Sequence, residues 1–172
     1  MSMSLYEVSV GSYLQIVAAA KNVMQKGADY CTEQDIATDE LVAMSLYENM
    51  APLHFQAVCV AHHSLGAIKG LQTGEFAPPN GYGEMDYAGL QGLLAATHDE
   101  LAALDAGAID ALSDGKVTFK IGGNEIPFSA ENFILSFSLP NFYFHATTLY
   151  DILRHKGVPL GKMDFLGSLK IG

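Results

Sequence analysis

Residues 139–157 read Leu139-Pro-Asn-Phe-Tyr-Phe-His-Ala-Thr-Thr-Leu-Tyr-Asp-Ile-Leu-Arg-His-Lys-Gly157. Phe142, His145, Leu149 and Ile152 recur at helical spacing, and Gly157 supplies a C-terminal stop. Tyr143, Phe144, Ala146 and Leu153 extend the apolar character nearly all round, which predicts a central, largely buried helix. Upstream, Ser129 can cap the segment, which then runs to about His155. Pro140 lacks an amide hydrogen, so a kink or restart is expected there.

Outward from this helix the period changes. Val117, Phe119 and Ile121 alternate in Lys116–Ile121, Gly122-Gly123-Asn124 is turn chemistry, and Glu125-Ile-Pro-Phe returns. That pattern predicts a small β-hairpin before the last helix, resting on the helices because a lone hairpin is marginal in water. A third helix is expected over Asp86–Leu104, with Asp86 as cap. The Pro- and Gly-rich stretch Phe76–Glu84 before it reads as loop. Pro52 opens a second helix running to about Gln72. Its apolar stripe is Phe55, Val58, Leu65, Ile68 and Leu71, and its small face is Cys59, Gly66, Ala67 and Gly70. The first helix spans about Ser4–Gly27, with Gly27 as its stop, and Thr38 could cap a short helix in the mixed stretch after it. Four amphipathic segments with short connections predict an all-α four-helix bundle, one domain over residues 1–172.

The 172 residues are 49% apolar and 16% charged, which excludes a disordered chain. Nine basic against nineteen acidic residues give a net charge of −10, which argues against nucleic acid or an anionic membrane as partner. No stretch approaches the roughly 20 apolar residues of a membrane span. The start, Met1-Ser-Met-Ser-Leu-Tyr-Glu, lacks the basic and apolar regions of a secretory signal. Two isolated cysteines, Cys31 and Cys59, form no zinc pattern. The expectation is a soluble cytoplasmic protein with reduced thiols. Arg154, Lys156, Lys162 and Lys170 make the tail basic, either as a docking element or as ordinary surface.

Six histidines supply the obvious ligands. His145 shares the interior stripe of the last helix, and Asn141 precedes it by one turn. His63 lies on the small face of the second helix, one turn after Cys59. The adjacent His62 points about 100° away, so the two should not share an ion. Beside Arg154 and Lys156, His155 reads as a complement to the helix dipole, while His54 and His98 read as boundary residues. A candidate metal site therefore consists of His63, His145 and Asn141, the amide being a poor third donor. The other reading is a hydrogen-bonded buried polar pair without an ion. Cys59 and His63, at i and i+4, form a candidate nucleophile pair against the commoner reading of a core cysteine.

Two stretches carry a family resemblance: Met50-Ala-Pro-Leu-His-Phe-Gln-Ala-Val leading to Ala61-His-His and Gly66-Ala, and Leu139 to Val158 ending in Gly161-Lys-Met-Asp-Phe-Leu-Gly. With the opening Ser4-Leu-Tyr they resemble an uncharacterised, mostly bacterial domain-of-unknown-function family grouped with the DinB/YfiT-like metalloenzymes. The resemblance implies a DinB-like four-helix bundle, often a homodimer. In metal-binding relatives a histidine on the second helix joins a His-x-x-x-His pair on the last. His63 matches the first ligand and His145 the second of the pair, while Asn141 stands where the pair's first histidine would be. The wider superfamily includes thiol transferases that use a divalent metal.

Two functions follow as expectations. One is a bundle with a degenerate metal site that binds a small molecule or a partner chain. The other is an enzyme, of thiol-transferase or hydrolase type, using nickel, zinc or manganese on His63 and His145. A purely structural protein is the third possibility.

Overall fold

The computed structural model describes residues 3–171. Met1 and Ser2, which begin the stretch read for a targeting signal, and Gly172 lie outside the described residues. Ser4 caps α1 (Leu5–Val8) in a reciprocal pair with Glu7. Helix α2 (Val10–Gln34) follows and passes straight through Gly27, where the sequence predicts a stop. Packing explains the difference. The Tyr87 hydroxyl fills the space a Cβ at Gly27 would need and donates to the Met24 carbonyl at 2.7 Å. The helix ends instead at Asp35, in the left-handed conformation at φ 54°. In α3 (Thr38–Val42) it is Ala37, not Thr38, that occupies the cap position.

Pro52 sits at the cap of α4 (Leu53–Ala61). The helix widens into a π-helical turn, His62–Gly66, and continues as α5 (Ala67–Thr73). Gly70 admits β1 (Glu75–Phe76), since a Cβ there would meet Phe76 at 3.1 Å. Phe76 is therefore in a strand, not in the expected loop; two residues are too few to show a period. Next come α6 (Tyr87–Ala102), capped by Asp86 accepting from the Gly89 amide at 2.7 Å, and α7 (Ala106–Asp110).

Strands β2 (Lys116–Ile121) and β3 (Asn124–Ser129) pair antiparallel, Lys116 opposite Ser129 and Ile121 opposite Asn124. Gly122 and Gly123 turn the chain at φ 54° and 82°, which glycine adopts without strain. Parallel pairing of β1 with β2, Glu75 opposite Thr118, makes the sheet three-stranded. Beyond it, α8 (Ala130–Asn132), a second π-helical turn at Phe133–Ser138 and α9 (Leu139–Lys156) run on continuously. Pro140 lies in the first turn of α9, and the wide turn ahead of it absorbs the missing donor. Helix α9 is not buried all round. Phe142, Ala146, Leu149, Ile152 and Leu153 are buried, but Phe144 is 57% exposed. Aromatic content alone does not fix burial, because much of any protein surface is apolar.

The long helices pack cyclically, α2 against α6 and α9, and α4 against α6 and α9. Phe76, Phe119, Phe133 and Phe137 interleave between the sheet and the second wide turn. The tail returns along α2 through α10 (Lys162–Leu166). Its one carboxylate, Asp164, meets Lys26 at 2.6 Å, and Gln15 donates to the Leu166 carbonyl. Of the tail's basic residues, Lys156 approaches Glu40 at 3.7 Å. Among the described residues no helix is long and apolar enough to cross a membrane.

Candidate metal centre

Gln56 and Cys59 lie on α4 and His63 in the wide turn after it, at spacings of three and four that bring successive turns to one side. Helix α9 places His145 opposite them. One donor atom each from Cys59, His63 and His145 lies within 4.8 Å of the other two. The cysteine and His63 are buried and His145 is half-buried. The two imidazole rings lie 5.7 Å apart, nearly parallel at 11°. Thus His63 and His145 converge from separate helices. Asn141, the third residue of the sequence-based set, is half-buried, and its amide nitrogen donates to the Phe137 carbonyl at 2.7 Å, tying it back along its own segment. The residue found beside the imidazoles is Cys59.

Hydrogen bonds fix the state of each donor. Gln56 Nε2 donates to the Ala51 carbonyl at 2.8 Å, so Gln56 Oε1 faces His145 Nδ1 at 2.7 Å. An amide oxygen only accepts, hence the His145 proton is on Nδ1 and the lone pair on Nε2. His63 Nδ1 is buried with no hydrogen-bond partner, a state buried polar atoms seldom tolerate. The His63 carbonyl accepts from Ser138 Oγ at 2.6 Å. That hydroxyl has a single hydrogen, so the Tyr13 phenol must donate to it, also at 2.6 Å. The chain Tyr13–Ser138–His63 thereby joins the two wide turns.

The surroundings are aromatic. Phe76 and Phe137 flank the His63 ring at 5.6 and 5.8 Å, and Phe55 and Phe144 pack edge-on to His145. Burial drives the His63 pKa down to about 3, with help from the neighbouring His62 and His145. Burial, then His62, drives that of His145 down to about 4. The Cys59 thiol is pushed up to about 12 by burial. These shifts count against the Cys59–His63 nucleophile pair, which needs an acidic thiol and a basic imidazole.

The remaining histidines have other work. His62 packs edge-on to the His63 ring at 5.3 Å, but its Nε2 is tied to the Ala77 carbonyl at 2.8 Å and it is not among the three converging donors. His54 Nε2 accepts from the Met85 amide, and His98 lies beside Asp99. His155 is exposed in the last turn of α9. Sequence reasoning did not assign Cys59 or Gln56 to the ligand set. The available signal was polar residues one turn apart, Gln56, Cys59 and His63, on one side of a mainly apolar helix.

A divalent cation fits this donor set: two neutral imidazoles, a thiol that becomes anionic on binding, and a buried nitrogen lacking a partner. The fold is mostly helical with a small three-stranded sheet, and the cluster lies between α4 with its wide turn and α9. The crystal structure of a DinB family member from Shewanella denitrificans superimposes with a TM-score of 0.81 at 22% identity, covering 98% of this chain and 94% of that one. The pattern of the domain of unknown function DUF1993 matches residues 5–166, so the chain belongs to that family. No curated protein matches it.

Proposed function

We propose that this protein is a divalent-metal-dependent enzyme of hydrolase or thiol-transferase type, built on a DinB-type four-helix bundle whose β-hairpin precedes the last helix. Cys59, His63 and His145 are its ligands. The observation that carries this reading is their convergence to within 4.8 Å from two elements separated in sequence. Three protein ligands leave a position open, as in catalytic sites. A soft thiolate with two imidazoles favours zinc or nickel, and disfavours manganese, which prefers oxygen donors. Bound there, such an ion supplies Lewis acidity toward a substrate oxygen. The chain's own residues hold and orient the donors, and the Phe76 and Phe137 rings keep bulk water from His63.

The metal-free alternative, a bundle that binds a small molecule or a partner chain, has less support. Two cavities of about 410 Å³ lie elsewhere, one lined by Leu5, Val8, Asp110 and Leu135, the other by Leu14, Gln15 and Lys170. Neither touches Cys59, His63 or His145. A homodimer belongs to the proposal through the family resemblance, and sedimentation velocity measures it.

The test is metal content after expression with zinc, nickel or manganese. Near-stoichiometric zinc or nickel is expected in the wild type, lost in Cys59→Ser and His145→Ala and kept in Asn141→Ala. A wild type that carries no metal from any of the three media sinks the reading. Loss in Asn141→Ala with retention in Cys59→Ser would reassign the third ligand.

A further inference from the structure

Gln56 is 2% exposed, one turn before Cys59 on α4. Both ends of its amide are engaged, and their directions are forced. Its Nε2 donates to the Ala51 carbonyl, which can only accept, so the amide cannot be turned over. Its oxygen must then accept the proton of His145 Nδ1. Phe55 and Phe144 pack edge-on to the His145 ring, at ring distances of 5.9 and 5.2 Å. We propose that Gln56 is a positioning residue that holds His145 as the Nδ1–H tautomer, keeping its Nε2 lone pair for an ion shared with Cys59 and His63. The inference rests on the metal reading above and adds the residue that prepares the site.

His145 is the one ligand of the three whose orientation a side-chain hydrogen bond fixes before an ion arrives. His63 Nδ1 has no partner, and Cys59 is neutral and buried. Hydrogen bonds to the far nitrogen of a ligating imidazole set its tautomer and its basicity, and their loss typically weakens binding by about 10- to 100-fold. Without the Gln56 oxygen, His145 is free to protonate on Nε2, and an ion must first displace that proton.

The experiment uses histidine labelled with ¹⁵N in the chelator-treated full chain. Long-range proton–nitrogen spectra report the tautomer of His145, and competition against a chromophoric chelator reports zinc affinity. The wild type is expected to show Nδ1–H. Gln56→Met should give mixed tautomers and about 10- to 100-fold weaker zinc. An Nε2–H wild type overturns the inference, as does a Gln56→Met protein with unchanged tautomer and affinity. Should the methionine variant fail to fold, the wild type decides alone, and a His145 Nδ1–H that exchanges with water as fast as that of an exposed imidazole overturns the inference. A wild type whose tautomer responds to Gln56 but which binds no zinc overturns the metal reading instead.

Discussion

Acidification of the metal-free protein from pH 7 to pH 5 should remove about 4 kcal/mol of stability through two side chains. In the unfolded chain a histidine titrates near 6.5, whereas the fold lowers His63 to about 3 and His145 to about 4, in both cases chiefly by burial. Between those values and 6.5 the unfolded state binds protons that the folded state refuses, so stability falls as pH falls. At pH 5 each histidine contributes a loss of about RT ln(1 + 10^1.5), or about 2 kcal/mol, against a few tenths at pH 7. The slope near pH 5 is about 2.5 kcal/mol per pH unit for the pair. His62, also lowered by burial, acts in the same direction. The loss is comparable to the lower end of the ordinary range of domain stability, about 5–15 kcal/mol. Urea unfolding followed by circular dichroism at pH 7, 6 and 5 with chelator measures it. His145→Gln isolates the effect from the carboxylates and should flatten the slope by about 1.4 kcal/mol per pH unit. Equal stability at pH 7 and 5 in the wild type, or an unaltered slope in His145→Gln, would refute the placement of these imidazoles.

Gly27→Ala gains about 1 kcal/mol of helix propensity but forces the Tyr87 hydroxyl out of its place on Met24. Overpacking and the lost hydrogen bond outweigh the gain, and a net loss of about 1–3 kcal/mol is expected in denaturant melts, partly restored by adding Tyr87→Phe. Tyr13→Phe leaves Ser138 donating to His63 and should cost about 1 kcal/mol. Ser138→Ala strands the Tyr13 phenol and takes the donor from the His63 carbonyl, so it should cost more, about 2–3 kcal/mol; equal losses in the two variants would show that the chain does not act as a unit.

The long helices were legible because their apolar stripes repeat at 3.6 residues over many turns. Gly27 was misleading because a glycine that ends a helix and one that makes room for Tyr87 look alike in sequence. The pairing of β1 with β2 depends on Gly70 admitting Phe76, a contact that no local period encodes. At the site, His63 and His145 stood out as histidines on inward faces. Cys59 was visible beside His63 at i and i+4, but only tertiary packing shows that His145 comes to the same place. Gln56 carries no motif; its meaning comes from the imidazole across from it and the carbonyl behind it. The wide turns leave no trace in periodicity, since one extra residue in a turn is smaller than the scatter of any stripe.

Those turns bear on why the centre reads as a binding site and not as a polar accident of the core. A π-helical turn inside an α-helix is rare and is frequently found at functional sites. Here two face each other, joined by Ser138 Oγ donating to the His63 carbonyl and steadied by the Tyr13 phenol. The same few residues carry two depressed imidazoles, a nitrogen without a partner and a thiol held neutral. Each of these lowers stability relative to an apolar side chain of similar volume. An ion that binds only the folded state offsets such costs by mass action, by about 4 kcal/mol at a thousandfold excess over its dissociation constant. Because His63 and His145 remain unprotonated in the folded protein well below neutral pH, protons compete for the centre chiefly through Cys59. Zinc uptake should therefore release close to one proton per ion. Calorimetry in buffers of different ionisation enthalpy counts the protons directly, and a release of none in the wild type would remove the thiol from the ligand set.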